Sequence, residues 1–268
     1  MSEIQRFNVL GVSVCAMNLS IATQAILEAV RDRRKGYVCV TGVHGVTEAQ
    51  EDGSFRQILN HAFLNTTDGM PLVWLGKHQI GGSWIERVYG PDLMLELFEA
   101  TRDGSVRHYF YGGAPGVADE LKGKLEARFP GVNICGTYCP PFRPLNADEE
   151  AELEMKVREA KPDLIWVGLS TPKQERFMAE YLPTLDTTVM LGVGAAFDFH
   201  SGRVRQAPRW IQRSGFEWLY RLCSQPRRLA RRYLINNPLF LGRIALQLSG
   251  LRKYPLDRRS ETPNSQSH

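Results

Sequence analysis

Residues 108–138, HYFYGGAPGVADELKGKLEARFPGVNICGTY, contain an apolar run, a glycine-rich turn, an amphipathic run and a second apolar run. His108–Tyr111 and Val132–Tyr138 have the length and composition of strands, whereas Val117–Phe129 has the length and periodicity of a helix. A strand, a helix and a second strand in this order are typical of a parallel βαβ unit. The stretch therefore predicts a parallel sheet.

The same alternation extends in both directions along the chain. The other predicted strands are Phe7–Val14, Tyr37–Val40, Phe63–Thr66, Leu164–Val167 and Val189–Leu191. The other predicted helices are Ser20–Arg34, Phe55–Ala62, Asp92–Thr101, Ala147–Ala160 and Lys173–Tyr181. Alternation over this length predicts an α/β fold with a Rossmann-like, mostly parallel sheet and helices on both faces.

Length and composition are those of a globular protein, with 268 residues, of which 43% are hydrophobic and 10% aromatic. We divide the chain into an α/β domain at residues 1–202, a basic helical appendage at 203–257 and a disordered tail at 258–268. The five cysteines form no CxxC pair, which favours a reducing cytosol. The sequence shows neither a secretory leader nor about 18 consecutive apolar residues that would span a bilayer.

Charge is distributed unevenly along the chain. Residues 203–259 carry fourteen Lys or Arg against two acidic residues, Glu217 and Asp257, which gives +12. Residues 1–202 carry nineteen basic and twenty-six acidic residues, which gives −7. Trp, Tyr and Leu are interspersed with the arginines of the basic segment. This pattern predicts an anionic partner, such as a membrane surface, a phosphate-bearing substrate or a nucleic acid.

Glycine and short polar residues follow most of the predicted strands. These segments are 41–45, 68–69, 112–116, 168–174 and 192–198. In an open parallel sheet, the segments that follow the strands meet at one edge, where ligands bind. Glycine lets a ligand approach the backbone, and a helix that begins nearby offers free N–H groups to phosphate. Each segment alone fits an ordinary tight turn, but together they predict a nucleotide-type ligand.

Asp68 is the carboxylate placed best for chemistry, because it follows a predicted strand and precedes Gly69. It either accepts the proton of an attacking hydroxyl as a general base or caps the helix that follows. Gln174 offers donors and an acceptor to a sugar or base edge. Asp198 either accepts a hydrogen bond from a ribose or a base or caps a turn. His44 and His200 are predicted to face the same edge.

The sequence predicts no metal ion and no resident cofactor. His44 and His200 lack a neighbouring group of ligands, and Cys135 and Cys139 are interpreted as packing residues. No DxD-like pair of aspartates is present where a metal-bound diphosphate would need it. Cationic side chains would then have to stabilise a departing diphosphate.

Five ordered motifs resemble those of the WecG/TagA/CpsF glycosyltransferases. They are Asn65–Trp74, Glu86–Leu93, Thr171–Glu175, Gly192–Phe199 and Glu217–Arg221, and the resemblance covers about residues 7–235. It implies an inverting, metal-independent enzyme that takes N-acetylmannosamine, its uronic acid or glucose from UDP. The implied acceptor is an undecaprenyl-diphosphate-linked saccharide, and the implied products are cell-surface polysaccharides.

The resemblance also implies roles for particular residues. Asp68 is expected to be the catalytic base, and Thr41, Arg87 and Gln174 are expected to line the pocket. The segment Gly194–Asp198 is expected beside UDP. Gly112 is assigned to the same nucleotide from its position in the glycine-rich turn after its strand, not from the resemblance. The appendage is expected to dock on the membrane and to close over the site with three arginines, which are Arg221, Arg228 and Arg231.

One departure from the family pattern bears on the donor sugar. Many members carry Asn two residues after the Thr41 position, whereas this chain has Val43 followed by His44. His44 is expected to take over the substrate contacts of that Asn, and glucose becomes a reasonable donor. The expected location is cytoplasmic, peripheral on the inner face of the cell membrane, with the oligomeric state left open.

Two other functions are weighed against this one. A nicotinamide-dependent dehydrogenase requires GxGxxG after its first strand, whereas the first strand here runs into Val12–Asn18 without a glycine. A nucleic-acid binder would use the Arg-rich appendage. No recognised nucleic-acid motif is present, however, and the Leu, Trp and Phe of that segment suit lipid better. We therefore expect no nucleic-acid partner.

Overall fold

The computed structural model of the chain describes residues 4–256, apart from the side chains of Arg228 and Arg232. Its strands are β1 (Arg6–Val9), β2 (Val12–Cys15), β3 (Gly36–Thr41), β4 (Leu64–Thr67), β5 (Arg107–Gly112), β6 (Asn133–Tyr138), β7 (Leu164–Gly168) and β8 (Val189–Gly192). Six of them form one sheet in the order β4-β3-β8-β7-β5-β6, and every neighbouring pair in it is parallel. The predicted Rossmann-like α/β fold is confirmed, and each predicted strand from Tyr37 onward overlaps an observed one.

The predicted strand Phe7–Val14 is wrong, because the structure has two strands there. β1 and β2 pair antiparallel as a hairpin that is separate from the main sheet. Between them, Leu10 and Gly11 have φ angles of 52° and 80°, the left-handed backbone that a tight two-residue hairpin turn requires. Leucine rarely adopts this conformation, so the apolar run carries only a weak signal for the turn.

Helices cover both faces of the sheet. They are α1 (Leu19–Arg31), α2 (Val43–Glu51), α3 (Gly53–His61), α4 (Met70–Ile80), α5 (Gly90–Ala100), α6 (Val117–Arg128), α7 (Ala147–Ala160), α8 (Lys173–Tyr181), α9 (Ala196–His200), α10 (Arg209–Ser214), α11 (Glu217–Ser224) and α12 (Pro226–Leu248). Helices α1, α5, α6 and α9 pack on one face with Phe110 and Trp166. The hairpin, α2, α3, α7 and α8 pack on the other face with Tyr111 and Ile165. Successive strand residues point to opposite faces, so β5 supplies both cores.

Two helices begin in segments that the sequence predicts as turns. α2 begins at Val43, so His44 is helical, and α9 begins at Ala196, so Asp198 is helical. α9 has only five residues, and α2 contains a glycine, which weakens its helical pattern. Gly42 precedes α2, and a Cβ there would lie 2.7 Å from the carbonyl oxygen of Asp68. Glycine therefore lets the turn after β3 pack directly on the Asp68 backbone.

Three helices, α10, α11 and α12, form most of the basic appendage. α12 packs against α2 and buries Phe240 and Ile244 in the same core as α3 and α8. Within residues 4–256, no helix combines the length and the apolar composition that a bilayer-spanning segment needs. The tail predicted at 258–268 lies outside the described residues.

The far end of α12 is joined to the hairpin by a set of hydrogen bonds that we call the hairpin clamp, formed by Asn8, Leu10, Gln247 and Tyr254. The Gln247 side chain accepts from the Leu10 N–H at 2.8 Å and donates to the Asn8 carbonyl oxygen at 2.9 Å. The Asn8 side chain donates to the Tyr254 carbonyl oxygen at 2.7 Å. Every group in the clamp is uncharged.

Candidate active site

A large cavity lies at the carboxyl edge of the sheet, and its volume is about 1050 Å³. Each of the six strands of the main sheet is followed by residues of the cavity wall, and α11 and α12 contribute further wall residues. Small-molecule sites in proteins have volumes of about 300–1,000 Å³, so this cavity can hold a large ligand or two ligands together. It lies where an open parallel sheet places its ligand.

Asp68 lies in the cavity wall directly after β4. Its N–H donates to the Thr41 carbonyl oxygen at 2.9 Å, and its Oδ1 accepts from Nε and Nη2 of Arg87 at 3.3 and 3.1 Å. Among the described residues no group donates to Oδ2, and the side chain is 29% exposed. The helix that follows has Gly69 as its N-cap and no side-chain cap. Asp68 is therefore not a helix cap, and one of its oxygens is open to a further partner.

Arg87 joins Asp68 to a second carboxylate, Glu217, at the start of α11. Nη1 of Arg87 donates to Oε2 of Glu217 at 2.5 Å, while Nε and Nη2 hold Asp68. The hydroxyl of Tyr89 donates to Oε1 of Glu217 at 2.7 Å, and the Arg87 guanidinium lies 3.9 Å from the centre of the Tyr89 ring. We call these four residues the charged cluster. They connect the appendage directly to Asp68.

Burial sets the acid–base properties of the charged cluster. It raises the pKa of Asp68 above the ordinary carboxyl value, an effect that Arg87 opposes and Glu217 reinforces. Burial also raises the pKa of Tyr89, which keeps its hydroxyl protonated as a donor. For Arg87, burial lowers the pKa, but the charges of Asp68 and Glu217 raise it overall. An ionised carboxylate with a raised pKa is a better proton acceptor than an ordinary one.

Gln174 lies in the cavity wall on the first turn of α8. Its side chain is almost fully buried, and its Nε2 donates to Oε1 of Glu175 at 3.1 Å. Thr171 donates to the same Glu175 oxygen at 2.8 Å. The Oε1 atom of Gln174 has no hydrogen-bond partner within the described part of the chain. A buried amide oxygen without a partner costs free energy, so Gln174 is suited to accept a hydrogen bond from a ligand.

Two predicted binding residues lie behind the cavity wall. Thr41 is buried, and its hydroxyl has no hydrogen-bond partner among residues 4–256, while the next residue, Gly42, lines the cavity. Gly112 pairs with Gly168 between β5 and β7, and the next residue, Gly113, lines the cavity. In both cases the predicted residue is the last one of its strand, and the residue after it lines the cavity.

Gly194 and Asp198 both line the cavity, beyond the end of β8. His200, two residues further, does not. Its Nε2 lies 2.9 Å from the Pro91 carbonyl oxygen, and burial lowers its pKa. The prediction that His200 faces the site is therefore wrong, because the helical turn of α9 directs it to the backbone of α5.

His44 lines the cavity and connects α2 to α12. Its Nδ1 lies 2.7 Å from Nδ2 of Asn236, which also lines the cavity. The amide nitrogen of asparagine is a donor, so Nδ1 of His44 is the acceptor in this contact. The appendage thus holds His44 in place within the wall.

The three predicted arginines of the appendage occupy different positions. Arg221 lines the cavity, and its guanidinium carbon lies 5.7 Å from the centre of the Phe199 ring. Arg231 is exposed and lies outside the cavity wall. The side chain of Arg228 lies outside the described part of the structure. Of the described pair, only Arg221 is brought together with Asp68.

Glu217 and Tyr89 are site residues whose contact with each other the sequence does not predict. Their hydrogen bond joins residues 128 positions apart, and no local pattern reports such a contact. One signal was present in the sequence, because Glu217 is the only acidic residue between 203 and 256. An acid retained in a strongly basic segment indicates a specific partner.

The described residues offer no group of three His, Cys, Asp or Glu side chains that could hold a metal ion. The cavity wall instead contains several cationic side chains, which are Arg87, Arg143, Lys173, Arg176 and Arg221. Arg143 and Arg176 pair with Glu149 and Asp52.

The fold and the cavity together define the class of this protein. A parallel sheet whose carboxyl edge opens into a cavity with a carboxylate and cationic side chains has the arrangement of an α/β enzyme's active site. The sequence matches the model of the family described as "Glycosyl transferase WecG/TagA/CpsF family" over residues 7–254. The chain belongs to this family and is a glycosyltransferase, which confirms the resemblance.

The chain is also similar to a curated enzyme of Bacillus spizizenii, the N-acetylglucosaminyldiphosphoundecaprenol N-acetyl-beta-D-mannosaminyltransferase. The two are 31% identical over 201 residues, which cover 75% of this chain and 76% of that enzyme. The similarity therefore extends over most of both proteins.

Proposed function

We propose that this glycosyltransferase moves a sugar from a UDP-sugar to an undecaprenyl-diphosphate-linked saccharide, with inversion at the anomeric carbon, in the synthesis of a cell-surface polysaccharide. The observation that carries the proposal is Asp68 at the wall of the cavity, with one carboxylate oxygen held by Arg87 and the other without a donor among residues 4–256. The name of the Bacillus spizizenii relative supports the acceptor, since that enzyme acts on a diphosphoundecaprenol-linked sugar.

In this mechanism Asp68 removes the proton from the acceptor hydroxyl. The hydroxyl oxygen forms a bond to the anomeric carbon as the bond from that carbon to the UDP oxygen breaks. The raised pKa of Asp68 supports this role, because it favours acceptance of the proton. Arg87 keeps the carboxylate in position during the attack.

The departing diphosphate needs positive charge, and we assign that role to side chains rather than to a metal ion. Arg221 and Lys173 both line the cavity, and Lys173 begins α8, whose N-terminal N–H groups also attract anions. Arg228 and Arg231 are proposed to join them when the acceptor or the membrane is present. Gly194 and Asp198 are proposed to contact the nucleotide.

The donor sugar is N-acetylmannosamine, its uronic acid or glucose in this proposal. His44 and Asn236 line the cavity as a hydrogen-bonded pair, so the side of the site that many relatives build with an asparagine is occupied here by both side chains. Gln174 provides an acceptor, unpartnered within the described part of the chain, for a sugar hydroxyl or amide. These three side chains are the proposed determinants of the donor.

The proposed location is the inner face of the cell membrane. Trp210 and Phe216 are 72% and 58% exposed, and the neighbouring Arg209 and Arg213 are exposed as well. Exposed aromatic and basic side chains in one segment favour the interface of an anionic bilayer. Sedimentation with anionic vesicles, but not with neutral vesicles or with DNA, is the expected result.

The test of the proposed reaction is UDP release from a panel of UDP-sugars, with a short-chain polyprenyl-diphosphate-linked N-acetylglucosamine as acceptor, in detergent. Acceptor-dependent release with one donor is expected, at the same rate with and without EDTA. Loss of release in EDTA, restored by a divalent cation, would contradict metal independence. A protein that binds no UDP would overturn the donor assignment.

A further inference from the structure

Glu217 lies in a different environment from Asp68, although both are carboxylates that line the cavity. The Glu217 side chain is 9% exposed, and both its oxygens are engaged, one by Arg87 and one by Tyr89. Asp68 is 29% exposed and has one oxygen without a donor among the described residues. Glu217 is therefore not placed to accept a proton from a substrate, and Arg87 is the hydrogen-bonded link between it and Asp68.

The guanidinium of Arg87 couples the orientation of the Asp68 carboxylate to that of the Glu217 carboxylate. Its donors lie in a rigid plane, so a bond from Nη1 to Glu217 also fixes where Nε and Nη2 point. The Tyr89 ring packs against the face of the same plane. Glu217 holds one edge of the guanidinium, and the Tyr89 ring packs on its face. The edge that donates to Asp68 is therefore fixed in one orientation.

We propose that Glu217 is a positioning residue of the transfer reaction. Docking of α11 brings its carboxylate onto Arg87, and Arg87 then holds Asp68 in the orientation that accepts the proton. Because Glu217 belongs to the appendage and the other three members of the charged cluster do not, the base is correctly oriented only when the appendage is docked. This inference rests on the proposed function, since it takes Asp68 as the base.

Electrostatics gives the proposal a signature that a purely structural anchor would not have. Among the described residues, four ionisable groups face Asp68, namely Arg87, Tyr89, Glu217 and Arg221. The negative charge of Glu217 raises the pKa of Asp68. Replacing Glu217 by glutamine removes that charge and keeps the shape of the side chain. The pKa of Asp68 should then fall, and the acid limb of the rate profile should move to lower pH.

The test is the pH profile of kcat and of kcat/KM for Glu217→Gln, with Glu120→Gln as the matched control. Glu120 also pairs with an arginine, Arg203, but on the surface and outside the cavity wall. Misplacing a catalytic group by about 1 Å can cost about 10²-fold. We therefore expect Glu217→Gln to lose about 10- to 100-fold in kcat, with donor KM within about threefold, while Glu120→Gln matches the wild type. A wild-type kcat or an unmoved acid limb in a folded Glu217→Gln would overturn the proposal.

Two further measurements test the role of Glu217 separately from folding and from the proposed reaction. If Glu217→Gln does not fold, Tyr89→Phe removes the hydroxyl that orients Glu217 and keeps every charge. An unchanged kcat in this variant would overturn the proposal.

Titration of ¹³C-labelled aspartate, with the Asp68 signal assigned by its loss in Asp68→Asn, reports the pKa of the Asp68 carboxyl group without turnover. A lower Asp68 pKa in Glu217→Gln is expected. Wild-type protein that releases UDP from no donor would overturn the proposed function, whereas an unmoved Asp68 pKa would overturn only the role of Glu217.

Discussion

The appendage is joined to the α/β body by two sets of contacts with different chemistry. At its near end, the charged cluster places Glu217 of α11 on Arg87 and Tyr89, next to the cavity. At its far end, the hairpin clamp joins Gln247 and Tyr254 to Asn8 and Leu10 through neutral hydrogen bonds. Between these ends, Phe240 and Ile244 of α12 are buried in the core.

The charged cluster and the hairpin clamp are suited to different tasks. Buried charges are costly unless they are paired, and their geometry and pKa respond strongly to a lost partner, so they suit a site where position and proton affinity matter. Neutral hydrogen bonds and apolar burial respond weakly to ligands and charge, so they suit permanent attachment. The near end should therefore affect turnover, and the far end should affect stability.

The largest effect is expected from Asp68→Asn, which leaves the near end in place and removes the group that it positions. A missing general base costs about 10²- to 10⁴-fold, so kcat should fall by that factor while donor binding is retained. UDP release and UDP binding measured on the same preparation separate the two. Asp186→Asn, at an exposed position outside the cavity wall, is the matched control. Near-wild-type transfer by Asp68→Asn would remove the base assignment.

A large effect on stability, but not on chemistry, is expected from Ile244→Ala in the last two turns of α12. Removing a buried isoleucine side chain to alanine costs about 2–5 kcal/mol, and Ile244 is 8% exposed and outside the cavity wall. Urea unfolding gives the change in the free energy of unfolding. Leu246→Ala on the same helix, 39% exposed, should change it by less than about 0.5 kcal/mol. Equal losses in the two variants would show that α12 is not held by burial.

Arg87→Gln should break the near end and shift the pH profile upward. The positive charge of Arg87 lowers the pKa of Asp68, so its removal should raise that pKa and move the acid limb of kcat/KM to higher pH. This is opposite to the direction expected for Glu217→Gln. We also expect kcat to fall by about 10- to 100-fold, because Asp68 loses its fixed partner. Arg102→Gln, on an exposed pair with Glu99, is the control. If the acid limbs of Arg87→Gln and Glu217→Gln move in the same direction, this electrostatic account is contradicted.

The smallest effect is expected at the hairpin clamp. Gln247→Ala removes two hydrogen bonds to the hairpin backbone and should lower the free energy of unfolding by about 1–2 kcal/mol. The kcat of the folded variant should stay within about twofold of the wild type, because the clamp lies outside the cavity wall. Gln24→Ala, at an exposed side chain of α1, serves as the control. A large loss of kcat without a loss of stability would assign the far end a part in turnover.

Most of the fold could be predicted, because strand and helix periodicities are local. The strands from Tyr37 onward and the parallel sheet follow from them. The predicted strand Phe7–Val14 fails because Leu10 adopts a left-handed backbone that its type rarely takes. Helix α2 is not predicted, because the glycine beside His44 weakens its helical pattern.

The site could be predicted only where a motif pointed to it. Asp68, Arg87, Gln174 and Arg221 are all in the cavity wall. Thr41 and Gly112 lie one residue behind the wall, since the exact end of a strand is not readable from sequence. Glu217 is defined by a contact 130 positions away in the sequence, which requires the tertiary fold.

The long separations in both sets of contacts have a consequence for the order of events during synthesis. Arg87 and Glu217 are 130 residues apart, and Asn8 and Tyr254 are 246 residues apart. A chain made from its amino end contains Asp68 and Arg87 well before Glu217 leaves the ribosome. On the proposed role of Glu217, such a nascent chain holds its base without the group that orients it. Sugar transfer then reaches its full rate only after the appendage has been translated and has docked, so an unfinished chain consumes donor more slowly.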